Sequence, residues 1–196
     1  MILLLLNIAV VIILTHAYVP QLRTTYKTRT AEGVSPFFWL LISLSTSYSL
    51  FNILATGQAD WFTYLGQFIN ATVAFILFVW ITKLKYRWEV TLFVTLLYVF
   101  MNLYVHSVVT LELSQSIATI AIIAAYFDQI LHFIKNKNSV GTNPLLYLYF
   151  ALGLILLTII MFMTSVTIYV IVTELVNITL LLICGALSKK YQQNNL

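Results

Sequence analysis

The stretch YVPQLRTTYKTRTAEGVSPFFWLL, from Tyr18 to Leu41, returns as YFDQILHFIKNKNSVGTNPLLYLY, from Tyr126 to Tyr149, when the sequence is shifted by 108 residues. Six of the 24 aligned positions are identical, and the alignment has no gap. Chance identities in an apolar chain involve apolar residues, so Gln, Lys, Gly and Pro in register indicate an internal repeat. The identical pairs are Tyr18/Tyr126, Gln21/Gln129, Lys27/Lys135, Gly33/Gly141, Pro36/Pro144 and Leu40/Leu148.

Each copy has the pattern of a helix end, a basic turn and a new helix start. A glycine permits the tight turn. A polar residue can then cap the next helix, with a proline at its first position, where the missing N–H costs nothing. These positions are Gly33 and Gly141 for the turn, Ser35 and Asn143 for the cap, and Pro36 and Pro144 for the helix start.

Seven apolar stretches have the length of a membrane span. Of the 196 residues, 61% are hydrophobic and 8% are charged, with a mean hydropathy of +0.97. So few charges cannot cover a water-facing surface, which excludes a soluble enzyme and a disordered chain. Because about 20 apolar residues cross a bilayer, we predict an all-α membrane protein with helices at 2–19, 36–56, 62–82, 90–111, 113–134, 145–164 and 166–187.

All ten lysines and arginines follow helices 1, 3, 5 or 7. Because cationic residues near helix ends stay on the cytoplasmic side, this distribution predicts an outside N-terminus and a cytoplasmic C-terminus. Asp60 and Glu112 then fall at the outer joints. The net charge of +4 reflects contact with anionic lipid headgroups, so we expect no nucleic-acid partner. The single cysteine, Cys184, and the absence of a metal-ligand pattern predict no metal and no cofactor.

The repeat divides the chain into two triple-helix halves. We predict a first repeat at 1–82 with its basic turn at 20–35, a linker with helix 4 at 83–111, a second repeat at 113–187, and a cytoplasmic tail at 188–196. A single helix between the triplets makes both of them cross the membrane in the same sense, so the repeats are parallel. In transporters built from such repeats, the substrate lies near the midplane between the halves.

The pair Pro20-Gln21, followed by Arg23, Lys27, Arg29 and Glu32-Gly33-Val34-Ser35, resembles the PQ-loop superfamily. This superfamily includes the SWEET sugar transporters, the half-size SemiSWEET proteins and the cystinosin-type amino-acid transporters, and the KDEL receptors share its fold. The resemblance implies three helices, a linker helix and three more helices, as in the segmentation above. The second copy reads Asp128-Gln129 and therefore lacks the proline.

The resemblance also implies that an asparagine on the third helix of each half binds the substrate. Asn70 and Asn177 match these positions. Their amides can donate to and accept from a hydroxyl-rich or zwitterionic solute. The alternative is that they bridge helices, which an asparagine does in membranes for about 1 kcal/mol. SWEET-like proteins stack a tryptophan of the second helix on the sugar, and the nearest aromatic residue here is Tyr48, whose repeat counterpart is Leu156.

Glu174 is the acidic residue that lies most clearly within a predicted span. It precedes Asn177 by three residues, so both side chains share a helix face. A charged carboxyl within a bilayer costs a few kcal/mol, and protonation removes that cost, so Glu174 is a candidate for proton coupling. A hydrogen-bonded structural role is the alternative. Its repeat counterpart after a one-residue slip is Gln67, which cannot titrate and which we expect to support the site.

Four residues beside the basic turns are candidates for a hinge or a gate. Pro20 cannot donate to the carbonyl one turn before it, which weakens helix 1 there. We favour a hinge at Pro20 and Gln21 over simple termination of the helix. Asp128 and Gln129 occupy the same place in the second copy. For Asp128 we favour an interfacial salt bridge, with His132 or a neighbouring lysine, over a gate latch.

Several other polar or aromatic residues have structural interpretations. Asn102 and His106 stand one turn apart on helix 4 and are predicted to be a packing pair. Tryptophans gather at membrane interfaces, so we expect anchors at Trp39, Trp80 and Trp88 near the inner face and at Trp61 near the outer face.

These observations predict a secondary transporter and not an enzyme, because the chain has no nucleotide motif and no nucleophile–base pair. It would move a small polar solute, with a sugar as the leading expectation, by alternating access between the repeats. A proton-coupled transporter of an amino acid or a cationic solute, using Glu174, is the alternative in this class. A receptor like the KDEL receptors and a scaffold without flux are alternatives of other classes. We expect an integral, multi-pass protein of a bacterial cell membrane whose partners are the solute, the lipid bilayer and, if coupled, protons; a homo-oligomer is compatible with this interpretation.

Overall fold

The computed structural model describes residues 2–57, 61–164 and 167–193. These residues form seven helices, each long and apolar enough to cross a membrane. The all-α class and seven helices of membrane-spanning length are therefore confirmed for these residues, whereas Asp60, Ser165 and residues 194–196 of the predicted tail lie outside the described residues. The helices are α1 (Ile2–Thr28), α2 (Pro36–Thr56), α3 (Trp61–Lys85), α4 (Trp88–Val108), α5 (Leu111–Asn136), α6 (Pro144–Met163) and α7 (Ile168–Gln193).

Helices that end in the basic turns are longer than hydropathy predicts. α1 continues through Pro20 to Thr28, whereas the predicted helix 1 ends at residue 19. The helix continues because each polar residue of these turns has a polar environment. Gln21 and Thr25 are buried but hydrogen-bonded to each other, while Arg23 is exposed. α7 likewise runs through Gln193, so residues 188–193 of the predicted tail are helical.

The predicted helix starts of α2 and α6 are confirmed. Ser35 Oγ accepts a hydrogen bond from the Phe38 amide at 3.3 Å, and Pro36 is the first residue of α2. Asn143 Oδ1 accepts from the Leu145 amide at 3.0 Å, ahead of α6. Each capping side chain satisfies an amide that the helix itself leaves without a partner.

Six helices form two groups of three that pack against each other. α3 packs against both α1 and α2, and α7 packs against both α5 and α6. Between the groups, α1 packs along α6 and α2 packs along α5. The contacts of the first group have counterparts in the second, because α1–α3 corresponds to α5–α7 and α2–α3 corresponds to α6–α7. Between the groups, α1–α6 corresponds to α5–α2 in the same way. The parallel repeat and the orientation in the membrane stay predictions.

α4 lies at the periphery, with smaller contacts to α2 and α3. Its outward face carries large apolar side chains such as Phe93, Phe100 and Leu103, which are exposed as on a lipid-facing helix. Asn102 packs toward α2, where its Oδ1 accepts a hydrogen bond from Ser47 Oγ at 2.8 Å. His106 stacks on Phe51 with 3.8 Å between ring centroids, so both residues of the predicted packing pair contact α2.

Candidate functional site

Six helices surround a cavity of about 230 Å³, here called the central cavity. α1, α2 and α3 contribute one wall, α5, α6 and α7 contribute the other, and no described residue of α4 lines it. Gln115 and Thr173 line the cavity from the first two turns of α5 and α7. The central cavity therefore lies toward the helix ends that are opposite the basic turns.

Four of the five predicted substrate-binding residues line the central cavity. Gln67 and Asn70 reach it from α3, and Glu174 and Asn177 reach it from α7. The walls also carry hydroxyl groups of α2 and α5, which give the otherwise apolar cavity further hydrogen-bonding groups. These are Ser45, Thr46, Ser49 and Thr119.

The α7 side of the cavity is rich in acceptors. Asn177 Nδ2 donates to Glu174 Oε2 at 3.5 Å. Asn177 is only 3% exposed, and its Oδ1 is buried without a hydrogen-bond partner. A buried acceptor without a partner costs about 1–3 kcal/mol. The unpaired oxygen and the adjacent carboxyl therefore favour a ligand that brings hydrogen-bond donors.

On the α3 side, protein groups already hold the two amides in place. Gln67 Nε2 donates to the Thr46 carbonyl of α2 at 3.0 Å. The Tyr18 hydroxyl of α1 donates to Asn70 Oδ1. This bond leaves the Asn70 amide nitrogen to face a ligand, so Tyr18 fixes which end of the amide is presented.

A smaller cavity of about 80 Å³, here called the aromatic cavity, adjoins the central cavity and shares Asn70 with it. Its wall consists largely of residues that the 108-residue shift pairs with each other. Trp39 in this wall is 1% exposed, and its Nε1 has no hydrogen-bond partner. The paired wall residues are Leu14/Ile122, Tyr18/Tyr126, Phe38/Leu146, Trp39/Tyr147, Ile42/Phe150 and Thr46/Leu154.

At the basic end, two glutamines join the halves. Gln129 Nε2 of α5 donates to the Gly33 carbonyl at 2.9 Å, and its Oε1 accepts from the Ser35 amide at 3.0 Å. Gln21 of α1 makes the equivalent pair with the other turn: its Nε2 donates to the Gly141 carbonyl at 2.8 Å, and its Oε1 accepts from the Asn143 amide at 2.9 Å. Each glutamine thus holds the turn of the opposite half.

The two turns also touch each other directly. The Gly33 amide donates to the Val140 carbonyl at 2.8 Å. A Cβ on Gly33 would lie 2.4 Å from backbone atoms of Ser139, and a Cβ on Gly141 would lie 2.4 Å from the Thr30 carbonyl oxygen. Both positions therefore require glycine, and Gly141 also has a φ of +89°. The backbones close this end of the molecule.

The family model described as the PQ loop repeat matches residues 2–62. The matched segment is about a third of the 196 residues, and over this segment the chain is similar to a PQ loop repeat. The match covers α1, α2 and the first two residues of α3, which include Pro20, Gln21 and the first turn. Comparison with curated proteins and with solved structures finds no significant match. A SWEET subtype is not shown by these comparisons.

Within the segment that matches the PQ loop repeat, Pro20 lies inside α1 and does not end it. The alternative of simple helix termination is therefore wrong, because eight more helical residues follow. The Pro20 carbonyl accepts a hydrogen bond from Asn143 Nδ2 at 3.4 Å, and Asn143 Nδ2 also donates to Thr24 Oγ1 at 2.9 Å. A hinge at Pro20 and Gln21 stays a prediction.

Tyr48 does not line the central cavity. It is buried in a separate cluster with Val105 and Ala118, and its ring meets His106 edge to face with 5.4 Å between centroids. Tyr48 immediately precedes Ser49 of the cavity wall, and consecutive residues of a helix point about 100° apart around its axis. The structure thus gives no contact between Tyr48 and a solute in the cavity.

The salt bridge favoured for Asp128 is absent from the described residues, where the only ion pair joins Arg87 and Glu89 at 3.1 Å. Asp128 Oδ2 is buried without a hydrogen-bond partner. His132 Nε2 instead lies 3.0 Å from the Glu32 carbonyl oxygen, and Lys85 Nζ donates to the same oxygen at 3.3 Å. The candidate partners of Asp128 therefore bind the first turn.

The expected interfacial anchor at Trp39 is wrong, because Trp39 is buried between the halves against Tyr18 and Phe38. Trp61 and Trp88 are exposed, as belt positions are. Sequence reasoning missed Trp39 and Tyr18 as lining residues, although their repeat partners Tyr147 and Tyr126 carried a signal. An aromatic residue at the same position of both copies indicates a shared wall between the two halves, because equivalent positions of the two halves face each other.

Among the described residues, no group of three or more His, Cys, Asp or Glu side chains is placed to hold a metal ion. The amides, hydroxyls and single carboxyl of the central cavity are hydrogen-bonding groups. Their arrangement is suited to reversible binding of a small polar molecule.

Proposed function

We propose that the protein is a secondary transporter that carries a small polar solute through the central cavity by alternating access. PQ-loop repeat membrane proteins are generally transporters. The observation that carries the proposal is the convergence of Gln67 and Asn70 with Glu174 and Asn177 in one cavity between two groups of three helices. Such a site can be exposed to either side when the two groups rock against each other.

The closed end supports the same cycle. The turns at 29–35 and 137–143 seal the basic end through Gln21 and Gln129, while the cavity lies toward the other helix ends. With the predicted orientation, this conformation is closed on the cytoplasmic side. Movement to the opposite state would separate the two turns and break the four glutamine hydrogen bonds to them. Differential solute affinity of the two states would drive the change.

The size of the cavity limits the solute. A volume of about 230 Å³ corresponds to roughly eight waters at about 30 Å³ each. This is the size range of a monosaccharide or an amino acid. Hydroxyls of a sugar would donate to Asn177 Oδ1 and accept from the Asn70 amide, and the aromatic cavity would offer Trp39 and Tyr147 beside it. A sugar is therefore the leading candidate.

A second candidate, a proton-coupled transporter of an amino acid or a cationic solute, is favoured by one observation. The Glu174 carboxyl lines the cavity beside Asn177, while the repeat counterpart Gln67 is neutral. A carboxyl on one wall would pair with an ammonium group or exchange a proton during the cycle. The two candidates make opposite predictions about a pH gradient.

The test is uptake by proteoliposomes that contain the purified full chain. Radiolabelled sugars and amino acids are supplied with and without a pH gradient across the membrane. We expect saturable uptake of a sugar that does not depend on the gradient. Uptake of an amino acid only with a gradient would select the second candidate, and no uptake of any solute would contradict a transporter.

Variants locate the pathway. Asn70→Ala and Asn177→Ala should each lower uptake at least tenfold, because each removes an amide from the cavity. Asn136→Ala is the matched control, since Asn136 is an exposed amide at the end of α5 and does not line the cavity. Equal uptake by all three variants would show that solute does not pass between Asn70 and Asn177.

A further inference from the structure

A groove of about 470 Å³ lies between the beginning of α6 and the last turns of α7. Leucines form its walls, Gly185 and Ala186 lie on α7 within it, and Lys189 and Gln192 stand at its end near the second basic turn. We propose that this groove binds one acyl chain of an anionic phospholipid, whose headgroup phosphate is bound by Lys189.

The length of the groove fits one leaflet. From Leu181 to Gln192 the lining extends over twelve residues of α7, whose eleven steps of about 1.5 Å span about 16.5 Å. Half of a hydrocarbon core of about 30 Å is about 15 Å. The apolar lining on α7, from Leu181 to Ala186, covers about 7.5 Å of this length, so the groove lies within one leaflet with Lys189 and Gln192 at its headgroup end.

The groove opens outward from the bundle. Leu145, Leu148 and Leu182 on its walls are 45%, 44% and 49% exposed. Leu181, which is 1% exposed, separates the groove from the aromatic cavity. All of the lining residues belong to α6 and α7, so this site is distinct from the central cavity.

The packing of the helices does not require glycine at position 185. A Cβ there would lie 3.4 Å from Tyr147 Cβ and 3.8 Å from the Pro144 carbonyl oxygen, which are ordinary contacts. Glycine inside a helix is less favourable than alanine. An alanine would therefore fit at position 185, in contrast to positions 33 and 141, so the glycine that lines the groove is not required by the packing of the helices.

The first half has a large side chain at the position that corresponds to Gly185. The one-residue slip that pairs Asn70 with Asn177 also pairs Phe78 with Gly185 and Val79 with Ala186. Phe78 is 1% exposed and belongs to the main hydrophobic core. At this position the first half thus has a large buried side chain where the second half has a glycine.

The charge at the groove end favours an anionic headgroup. Lys189 is exposed and has no hydrogen bond or ion pair within the described part of the chain. Its neighbour Lys190 lies outside the groove lining, with its Nζ 5.8 Å from the centroid of the Tyr191 ring. One lysine at a membrane surface strengthens the binding of an anionic lipid by about fivefold. Lys190 therefore provides a matched control.

The experiment is native mass spectrometry of the purified full chain, titrated in detergent with phosphatidylglycerol or phosphatidylcholine. We expect one phosphatidylglycerol molecule to be retained at a concentration about fivefold lower than phosphatidylcholine. Lys189→Gln should abolish this preference, whereas Lys190→Gln should keep it. Gly185→Leu should remove retention of both lipids, because its side chain fills the groove. Ala186→Leu is a second filling variant if Gly185→Leu does not fold by circular dichroism.

Three results would overturn the proposal. The first is unchanged lipid retention by folded Gly185→Leu and Ala186→Leu. The second is an equal loss of preference in Lys189→Gln and Lys190→Gln, which would indicate only diffuse attraction to the basic end. The third is a shift from dimer to monomer in the filling variants without any change in lipid retention, because the groove would then hold a second copy of the chain.

Discussion

Replacing Gln129 by methionine tests whether the glutamines hold the two halves together. Methionine keeps the length of the side chain and removes its amide. Gln129 is fully buried, and the change leaves the Gly33 carbonyl and the Ser35 amide without their partner. A buried backbone group that loses its partner costs about 1–3 kcal/mol. Two such groups set a range of about 2–6 kcal/mol.

The lower half of that range applies here. Hydrogen bonds between membrane helices average only about 0.6 kcal/mol in double-mutant cycles, because the unfolded chain also finds partners. We therefore expect Gln129→Met to lower the free energy of unfolding by about 2–4 kcal/mol. The assay is reversible unfolding of the purified protein by SDS in mixed micelles.

Gln192→Met is the matched control. Gln192 is half-buried and makes one hydrogen bond, from its Nε2 to the Thr142 carbonyl at 3.0 Å. We expect a loss of about 0.5–1.5 kcal/mol for this single bond. Losses for Gln129→Met and Gln192→Met that agree within about 0.5 kcal/mol would refute the reasoning. In addition, Gln21→Met and Gln129→Met should be non-additive by at least about 0.5 kcal/mol, because both act on turns that touch each other.

Three further changes test other parts of the structure. Gly141→Ala should lower the free energy of unfolding by about 3–5 kcal/mol, because position 141 has a positive φ and the new Cβ would overlap with the Thr30 carbonyl. The control Gly57→Ala, at a φ of +64° with open space around it, should lower the same free energy by about 1–2 kcal/mol. Similar losses for the two variants would contradict the close contact between Gly141 and Thr30. Tyr18→Phe should raise KM for the transported solute about fivefold, since Asn70 loses the hydroxyl that orients its amide, and an unchanged KM would separate Tyr18 from the site. Glu174→Gln should remove any stimulation of uptake by a pH gradient while gradient-free exchange continues; stimulation that persists in this variant would assign proton coupling to another group.

The repeat made much of the fold predictable. Gln21 and Gln129 stand in register in the sequence, and the structure places them in equivalent hydrogen bonds. The capping roles of Ser35 and Asn143 followed from their position before a proline. The caps are local features and the glutamines occur in both copies of the repeat, so both can be recognised in the sequence.

What depends on contacts between helices was not predictable in the same way. The hydropathy pattern predicted that helix 1 ends before Gln21. Hydropathy does not take into account that the second half supplies hydrogen-bond partners for the polar last turns of this helix. Depth alone suggested an interfacial place for Trp39, although its direction around α2 turns it toward the other half. Tyr48 lies outside the central cavity, and Asp128 forms no salt bridge within the described residues, because a polar or aromatic side chain can face any of several neighbouring helices.

The cavity residues lie between these cases. Asn70 and Asn177 were predicted to meet from their equivalent positions, and both line the central cavity. That Asn177 Oδ1 is unpaired while Asn70 Oδ1 accepts from Tyr18 could not be predicted, since the difference arises from which neighbours α1 and α5 present. In the proposed transporter, this asymmetry would contribute to solute selectivity.

The crossed glutamine bonds also bear on the biosynthesis of the protein. While the ribosome has completed only α1 to α3, the Gly33 carbonyl and the Ser35 amide have no Gln129 to bind, and Gln21 has no second turn to hold. The early half must therefore wait in the membrane with these groups hydrated or held by the insertion machinery. Two halves synthesised as separate polypeptides would carry complementary ends, which would guide their reassembly.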